Sequence, residues 1–260
     1  MTYPLPRPRY RDSNLEVNEM TEYRWPIDKL NDVLQPMRET DLIVIGSRPS
    51  QGKTTMMLNM AYRFARDGIR TAYVTLEKNT VQLKERFVSS HFRDYEDAER
   101  LREELNRVPL FFFDLRDWAI DEVAYEIEEE KSSLNFEVCF VDYLQLICER
   151  EGEIDWFKEL SLLLEIPIIL GSQMKRTVMD NPFKVPQQKD FHDAEEINAC
   201  ADTIIMLHHD RFYDDSAPKD ELRVIVSRDR GEAVNRETVL HFDWERAMLM
   251  KEEEKESLPR

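Results

Sequence analysis

Four apolar residues, Leu42-Ile43-Val44-Ile45, run straight into Gly46-Ser-Arg-Pro-Ser-Gln-Gly-Lys-Thr-Thr55, and a helical pattern starts at Met56. A strand feeding a glycine-containing turn that opens a helix aims successive backbone N–H groups and the positive helix end at one point, where a polyphosphate can sit. Ser47, Arg48, Pro49, Ser50, Gln51, Gly52, Lys53, Thr54 and Thr55 are therefore candidate phosphate-binding residues. Lys53 is placed to reach the β- and γ-phosphates, and Thr54 to offer its hydroxyl to Mg²⁺. The strict spacing is missed by one position: Ser47 stands where the first glycine belongs, and Gly46 lies one residue earlier. A small residue at 47 still permits the turn.

Short apolar runs recur along the chain at Leu42 to Ile45, Thr71 to Leu76, Leu110 to Phe113, Val138 to Val141, Ile168 to Leu170 and Thr203 to Leu207. Amphipathic stretches of helical length, such as Thr54 to Arg66 and Ile120 to Lys131, lie between them. Alternation of this kind predicts an α/β fold: a mostly parallel central sheet with helices on both faces. From Glu221 the pattern changes to two strand-like runs, Leu222 to Val226 and Thr238 to Phe242, joined through Gly231; they predict an antiparallel hairpin at the sheet edge. The 260 residues thus divide into a mobile, basic and proline-rich arm at 1–24, one domain at 25–245 and an acidic tail at 246–260.

A formal charge of -17 argues against a globally basic nucleic-acid coat, but a basic channel inside an acidic shell would leave the same total. Cys139, Cys148 and Cys200 are far apart and form no C-x-x-C pair, which suits a reducing compartment and packing roles. No apolar stretch approaches bilayer-spanning length, and the first twenty residues carry prolines and arginines in place of a signal-peptide core. A soluble, cytoplasmic chain is expected.

Several residues stand where a nucleoside-triphosphate site in such a sheet needs them. Asp142 ends the run Val138-Cys-Phe-Val-Asp142, so its carboxylate emerges at the carboxyl edge of a buried strand and can hold Mg²⁺ through water. Glu77 ends Tyr73-Val-Thr-Leu-Glu77, where it can orient and polarise the attacking water. Gln173 follows Ile168-Ile-Leu-Gly-Ser and is a candidate contact to the γ-phosphate. Arg228 and Arg230 follow the first late strand, and an arginine reaching a neighbouring subunit's γ-phosphate can raise hydrolysis by roughly 10³ to 10⁵. His208 and His209 are adjacent, so on a strand they point to opposite faces and make a poor metal pair.

Taken together, these strings resemble the DnaB-like replicative helicases. Gly46 through Thr54 resembles that family's phosphate loop, including its Arg-Pro-Ser insertion. Val74-Thr-Leu-Glu-Lys78 with Gln82, Leu83 and Arg86 resembles the strand carrying the catalytic glutamate and its following helix. Val141-Asp-Tyr-Leu-Gln-Leu146 resembles the Mg²⁺-binding segment, and Gly171-Ser-Gln-Met-Lys-Arg176 the sensor strand. Lys189-Asp-Phe191 and Ile197 through Asp202 resemble the later loop and helix. The resemblance spans roughly residues 25 to 243 and implies a RecA-like P-loop core that hydrolyses ATP with Mg²⁺ at subunit interfaces. It further implies a homo-oligomeric ring or filament around single-stranded DNA.

The departures matter as much. Family members carry an amino-terminal collar domain and a linker helix, whereas about 25 residues precede this core, so a separate collar or loader protein enters as a candidate partner. The family's lysine and arginine after the late strand align with Ser227 and Asp229, leaving Arg228 and Arg230 offset by one and turned to the opposite face unless a turn or bulge intervenes. His192-Asp-Ala-Glu-Glu196 places carboxylates in the DNA-facing loop, where negative charge opposes counterion release. DNA contacts are expected from Lys175, Arg176, Lys184 and Lys189, with Arg7, Arg9 and Arg11 as further candidates. Three functions stay open: a helicase or translocase core, an ATP-dependent single-stranded-DNA-binding or recombination-mediator protein that does not unwind, and a nucleotide-controlled protein scaffold.

Overall fold

A computed structural model describes residues 20–91, 95–144, 154–175, 184–244 and 248–250. Arg7, Arg9, Arg11, Arg176, Gln145, Leu146 and Cys148, with residues 1–19 of the expected arm and 251–260 of the expected tail, lie outside the described residues.

Two short strands, β1 (Glu22–Tyr23) and β2 (Met37–Arg38), pair antiparallel beside the main body. The central sheet has nine strands, built around β3 (Leu42–Ser47), which is buried along its whole length. On one side of β3 follow β7 (Ile168–Gln173), β6 (Val138–Asp142), β4 (Thr71–Thr75) and β5 (Leu110–Asp114), all parallel. On the other side lies β8 (Thr203–His208), parallel to β3, and then β9 (Glu221–Asp229), β10 (Glu232–Asp243) and β11 (Met248–Leu249), each antiparallel to its neighbour. The expected parallel sheet with an antiparallel edge is present.

Continuous apolar runs form the inner strands because both sheet faces are covered, so no position alternates to water. Ile43 and Ile45 face one cluster together with Met56 and Phe64 of α1 (Lys53–Arg66), Phe87 of α2 (Thr80–His91) and Leu101 of α3 (Tyr95–Arg107). Leu42 and Val44 face the other, with Val123 and Ile127 of α4 (Ile120–Leu134), Phe157 of α5 (Ile154–Leu164) and Ile197 of α6 (Ala194–Cys200). Burial of each such side chain contributes about 1.5–3 kcal/mol, which makes the two layers the main source of stability.

Two short strands lie at the limits of the expected domain. Glu22–Tyr23, inside the expected arm, is paired with Met37–Arg38, and Met248–Leu249, inside the expected tail, pairs with Phe242 and Asp243 of β10. Two-residue strands leave too short a pattern to be read from sequence.

The offset at the end of β9 has a structural answer. Ile205 pairs with Val226 but Ile204 pairs with Arg228, so Ser227 is an extra residue, a β-bulge against β8. Ser227 accepts a hydrogen bond from Gln188 at 3.0 Å and Arg228 donates to the Ala201 carbonyl at 3.5 Å, so both contact elements on the α6 side of the sheet. Asp229 reaches the other side, where its carboxylate accepts from the backbone N–H of Gln35 at 3.2 Å.

Candidate active site

The carboxyl ends of β3, β7, β6 and β4 converge where the chain order switches direction across the sheet, which is where an open α/β sheet binds ligands. Gly52, with φ at 85°, turns the loop after β3 into α1, and the Met56 N–H donates to its carbonyl at 2.8 Å. This opens a cleft of about 400 Å³. Ser47, Arg48, Pro49, Ser50, Gly52, Lys53, Thr54 and Thr55 line one wall, and Glu77 and Gln173 stand in the same cleft. Gln51 is the exception among the expected loop residues: it is buried away from the lining, and its amide donates to the Tyr213 hydroxyl at 2.9 Å.

Beneath the loop, Lys53 Nζ donates to Asp142 Oδ1 at 2.8 Å, and both side chains are buried. The Tyr73 hydroxyl donates to Asp142 Oδ2 at 3.1 Å, and Thr54 also hydrogen-bonds to this carboxylate. Burial alone would push the Asp142 carboxyl up; the Lys53 ammonium and the hydrogen bonds from Lys53, Thr54 and Tyr73 outweigh it and hold the group below its ordinary value. Gly171 on β7 makes room for this pair, because a Cβ there would stand 2.8 Å from Lys53 Nζ and 3.0 Å from Asp142 Oδ1. Lys53 Nζ also lies 4.3 Å from the centre of the Tyr143 ring.

Glu77 follows β4, is 43% exposed, and has Lys78 Nζ at 3.6 Å from its carboxylate. Gln173 is the last residue of β7 and sits in register with Ser47. The set Lys53, Thr54, Asp142, Glu77 and Gln173 thus meets at one sheet edge. Oxygen donors from Thr54 and Asp142, already in contact, suit a hard divalent cation such as Mg²⁺.

Arg228 and Arg230 are not part of this cleft. Strand β9 runs antiparallel to β8, so its end lies beside Ile204 at the opposite edge of the sheet from the phosphate loop. Arg230 makes an ion pair with Glu22 and donates to the Pro36 carbonyl at 2.7 and 3.2 Å. Arg228 makes a long contact to Ala201, and its Nε is buried without a partner among the described residues.

The Lys175 N–H donates to the Asp190 carbonyl at 2.7 Å, and a bridge joins Met174 to Phe191, so Lys175 and Lys189 flank one stem. Lys184 lies at the start of the returning segment with φ at 56°. Of the carboxylates that follow, Glu196 in α6 accepts a hydrogen bond from the Ile154 N–H at the start of α5.

Sequence reasoning missed the aromatic side of the cleft. Tyr143, Phe242 and Trp244 line it, and Trp244 approaches Gly52 while stacking on His209 with ring centres 3.9 Å apart. His208 instead stacks on Tyr213 at 5.4 Å, so the two histidines do serve opposite sides. An aromatic just beyond the last long strand reads as core packing from sequence, and only the antiparallel return of β10 brings it to the loop.

The family model for the DnaB-like helicase C-terminal domain matches residues 26–248. The probable plasmid replicative DNA helicase of Chlamydia psittaci is 27% identical over 228 residues, covering 78% of this chain and 50% of that protein. The replicative DNA helicase DnaB of Helicobacter pylori strain J99 is 29% identical over 210 residues, covering 71% and 43%. This chain therefore spans half or less of the length of these relatives. Among solved structures, one ATPase domain superposes with a TM-score of 0.74 at 20% identity, covering 82% of this chain and 85% of that one. A DnaB-like replicative helicase, solved in work on its interactions with primase, gives 0.78 at 19%, covering 91% and 64%. Sheet, loop and family match agree: the chain belongs to the DnaB-like helicase C-terminal domain family.

Proposed function

We propose that this chain is the ATP-hydrolysing motor core of a DnaB-like helicase or translocase that works as an oligomer on single-stranded DNA in the cytoplasm, with a collar or loader protein as a further partner. The observation that carries the reading is the meeting of Lys53, Thr54, Asp142, Glu77 and Gln173 around one cleft at the end of four parallel strands. Backbone N–H groups of the loop and the start of α1 receive the phosphates, and the Lys53 ammonium neutralises charge on the β- and γ-groups. Thr54 and Asp142 would hold Mg²⁺, which when bound supplies positive charge against the phosphate oxygens. Glu77 orients a water in line with the γ-phosphate and receives its proton; Gln173 contacts the same phosphate and passes its presence to the segment after β7.

An arginine from a neighbouring copy completes the charge stabilisation. Arg228 suits this better than Arg230, whose guanidinium is committed to Glu22 and Pro36 of its own chain. Lys175, Lys184 and Lys189 contact the DNA backbone, with Arg176 as a further candidate, so salt weakens that contact.

The test is steady-state ATPase with and without single-stranded DNA, at two salt concentrations, with Lys53→Ala as blank. Salt-sensitive stimulation by DNA is expected. Hydrolysis indifferent to DNA would move the reading to a nucleotide-controlled scaffold, and stimulation without duplex unwinding would move it to a strand-binding mediator.

A further inference from the structure

We propose that Tyr213 is a positioning residue for the phosphate loop, holding Arg48 and Gln51 in the shape that receives a nucleoside triphosphate; this rests on the reading of the cleft as an ATP site. Tyr213 ends the single helical turn Asp210–Phe212 that follows β8, the strand beside β3. Its hydroxyl oxygen accepts from Gln51 Nε2 at 2.9 Å and from Arg48 Nη1. The Arg48 guanidinium carbon also lies 5.1 Å from the ring centre.

The ring is itself fixed. His208 stacks on it with planes 9° apart, His208 Nε2 lies 3.0 Å from Asp210, and Arg223 joins Asp210 at 3.2 Å and Glu237 at 2.9 Å. A line of contacts therefore runs from the antiparallel edge of the sheet to the loop.

The loop has reason to be held. Ser50 sits at φ 64°, a left-handed conformation that a serine keeps only when its surroundings impose it. Arg48, Pro49 and Ser50 face the cleft, while Gln51, 2% exposed, turns the other way onto Tyr213. The hydroxyl thus anchors the rear of the loop and leaves its front open to phosphate. A loop held in the binding shape has less ordering left to do when ligand arrives. Removing the hydroxyl therefore weakens binding by about threefold to tenfold, the range for one or two lost hydrogen bonds.

Tyr213→Phe removes the oxygen and keeps the ring and its stacking. Binding of a fluorescent ATP analogue with Mg²⁺, saturated turnover, melting temperature and amide exchange of residues 48–52 without nucleotide are compared with the parent chain. Expected are a raised Kd and KM, kcat within about twofold, a melt lowered by no more than about 3 °C, and faster exchange in the loop. Unchanged Kd and unchanged exchange would overturn the proposal, as would a melt lowered by more than about 5 °C with exchange faster throughout the sheet, which would make the hydroxyl a general stabiliser. If the parent chain binds nucleotide no better than Lys53→Ala, the ATP reading fails, while loop exchange still decides whether Tyr213 holds the loop.

Discussion

The ring of Phe191 presses so closely on Gly46 that a Cβ at position 46 would stand 2.2 Å from its Cε1 atom. Gly46 stands one position before the first glycine of the usual phosphate-loop spacing, and Ser47, which follows it, is the last residue of β3. Phe191 is bridged to Met174, whose N–H donates to the Ser47 carbonyl at 2.9 Å, so the stem flanked by Lys175 and Lys189 rests directly on the strand that carries the loop.

Gly46→Ala is expected to destabilise the fold by about 1–3 kcal/mol through overpacking. Phe191→Leu, which removes the offending ring atoms, restores part of that loss, so the double variant is more stable than the two single effects predict by more than about 0.5 kcal/mol. Urea unfolding of the four proteins measures the coupling; strict additivity would show that the strand shifts to accept the methyl.

Lys53→Ala leaves the Asp142 carboxylate buried without its cation, and removal of one member of such a pair costs about 3–5 kcal/mol. Adding Asp142→Asn removes the stranded charge and recovers stability, though neither variant binds nucleotide well. Chemical unfolding beside nucleotide binding separates the two effects: stability returns in the double variant and binding does not.

Glu77→Gln keeps the shape of the cleft, because Glu77 is partly exposed and its ion pair, to Lys78 at 3.6 Å, is a loose one. Nucleotide affinity should stay within about twofold while single-turnover hydrolysis falls by about 10² or more, the range for a lost general base. Normal turnover in this variant assigns the base elsewhere.

His208 and His209 are buried against aromatic rings, and desolvation lowers the pKa of each below the ordinary 6.5, with Asp210 opposing and Arg223 reinforcing the shift at His208. Between the lowered native value and 6.5 the unfolded chain binds more protons than the native one, so stability is complete above about pH 6.5 and falls as the pH drops below it. Thermal melts from pH 5 to 8 check this. His208→Asn should flatten the lower part of the curve, and a curve unchanged by that substitution assigns the acid sensitivity to other groups.

Arg228→Ala should leave melting nearly unchanged and reduce ATPase of the assembled protein by roughly 10³ if it acts across the interface. Arg230→Ala should loosen the corner formed by Glu22 and Pro36 and lower the melt by about 2–4 °C. Mixing each variant with Lys53→Ala subunits reads rescue in trans, and rescue by the Arg230 variant alone reverses the assignment.

Much of this is legible in the chain itself. Apolar runs such as Val138 to Val141 announce strands covered on both faces, and the polar residue closing each run, Asp142, Glu77 or Gln173, falls at the ligand edge because strand ends do. Tyr213, Phe242 and Trp244 are not legible, since their place depends on the path of the β8–β9 connection and the return of β10. Nor is the pairing of Gly46 with Phe191, 145 positions apart by their numbers, because no local periodicity records a contact between a strand and a distant stem. Arg230 looks free in sequence and is held by Glu22, in a segment that reads as a mobile arm.

Ser227 is the residue that β9 inserts opposite the Ile204–Ile205 step of β8, and it gives that edge a parity. Deleting it would restore regular alternation after Val226 and leave Arg228 toward α6 and Asp229 toward the α1 side. Pairing Ser227 regularly against β8 would instead turn Arg228 toward α1 and Asp229 toward α6, so that cation and anion exchange faces. The bulge, and not the length of the strand, thus sets the sign of the charge that each face of this edge presents.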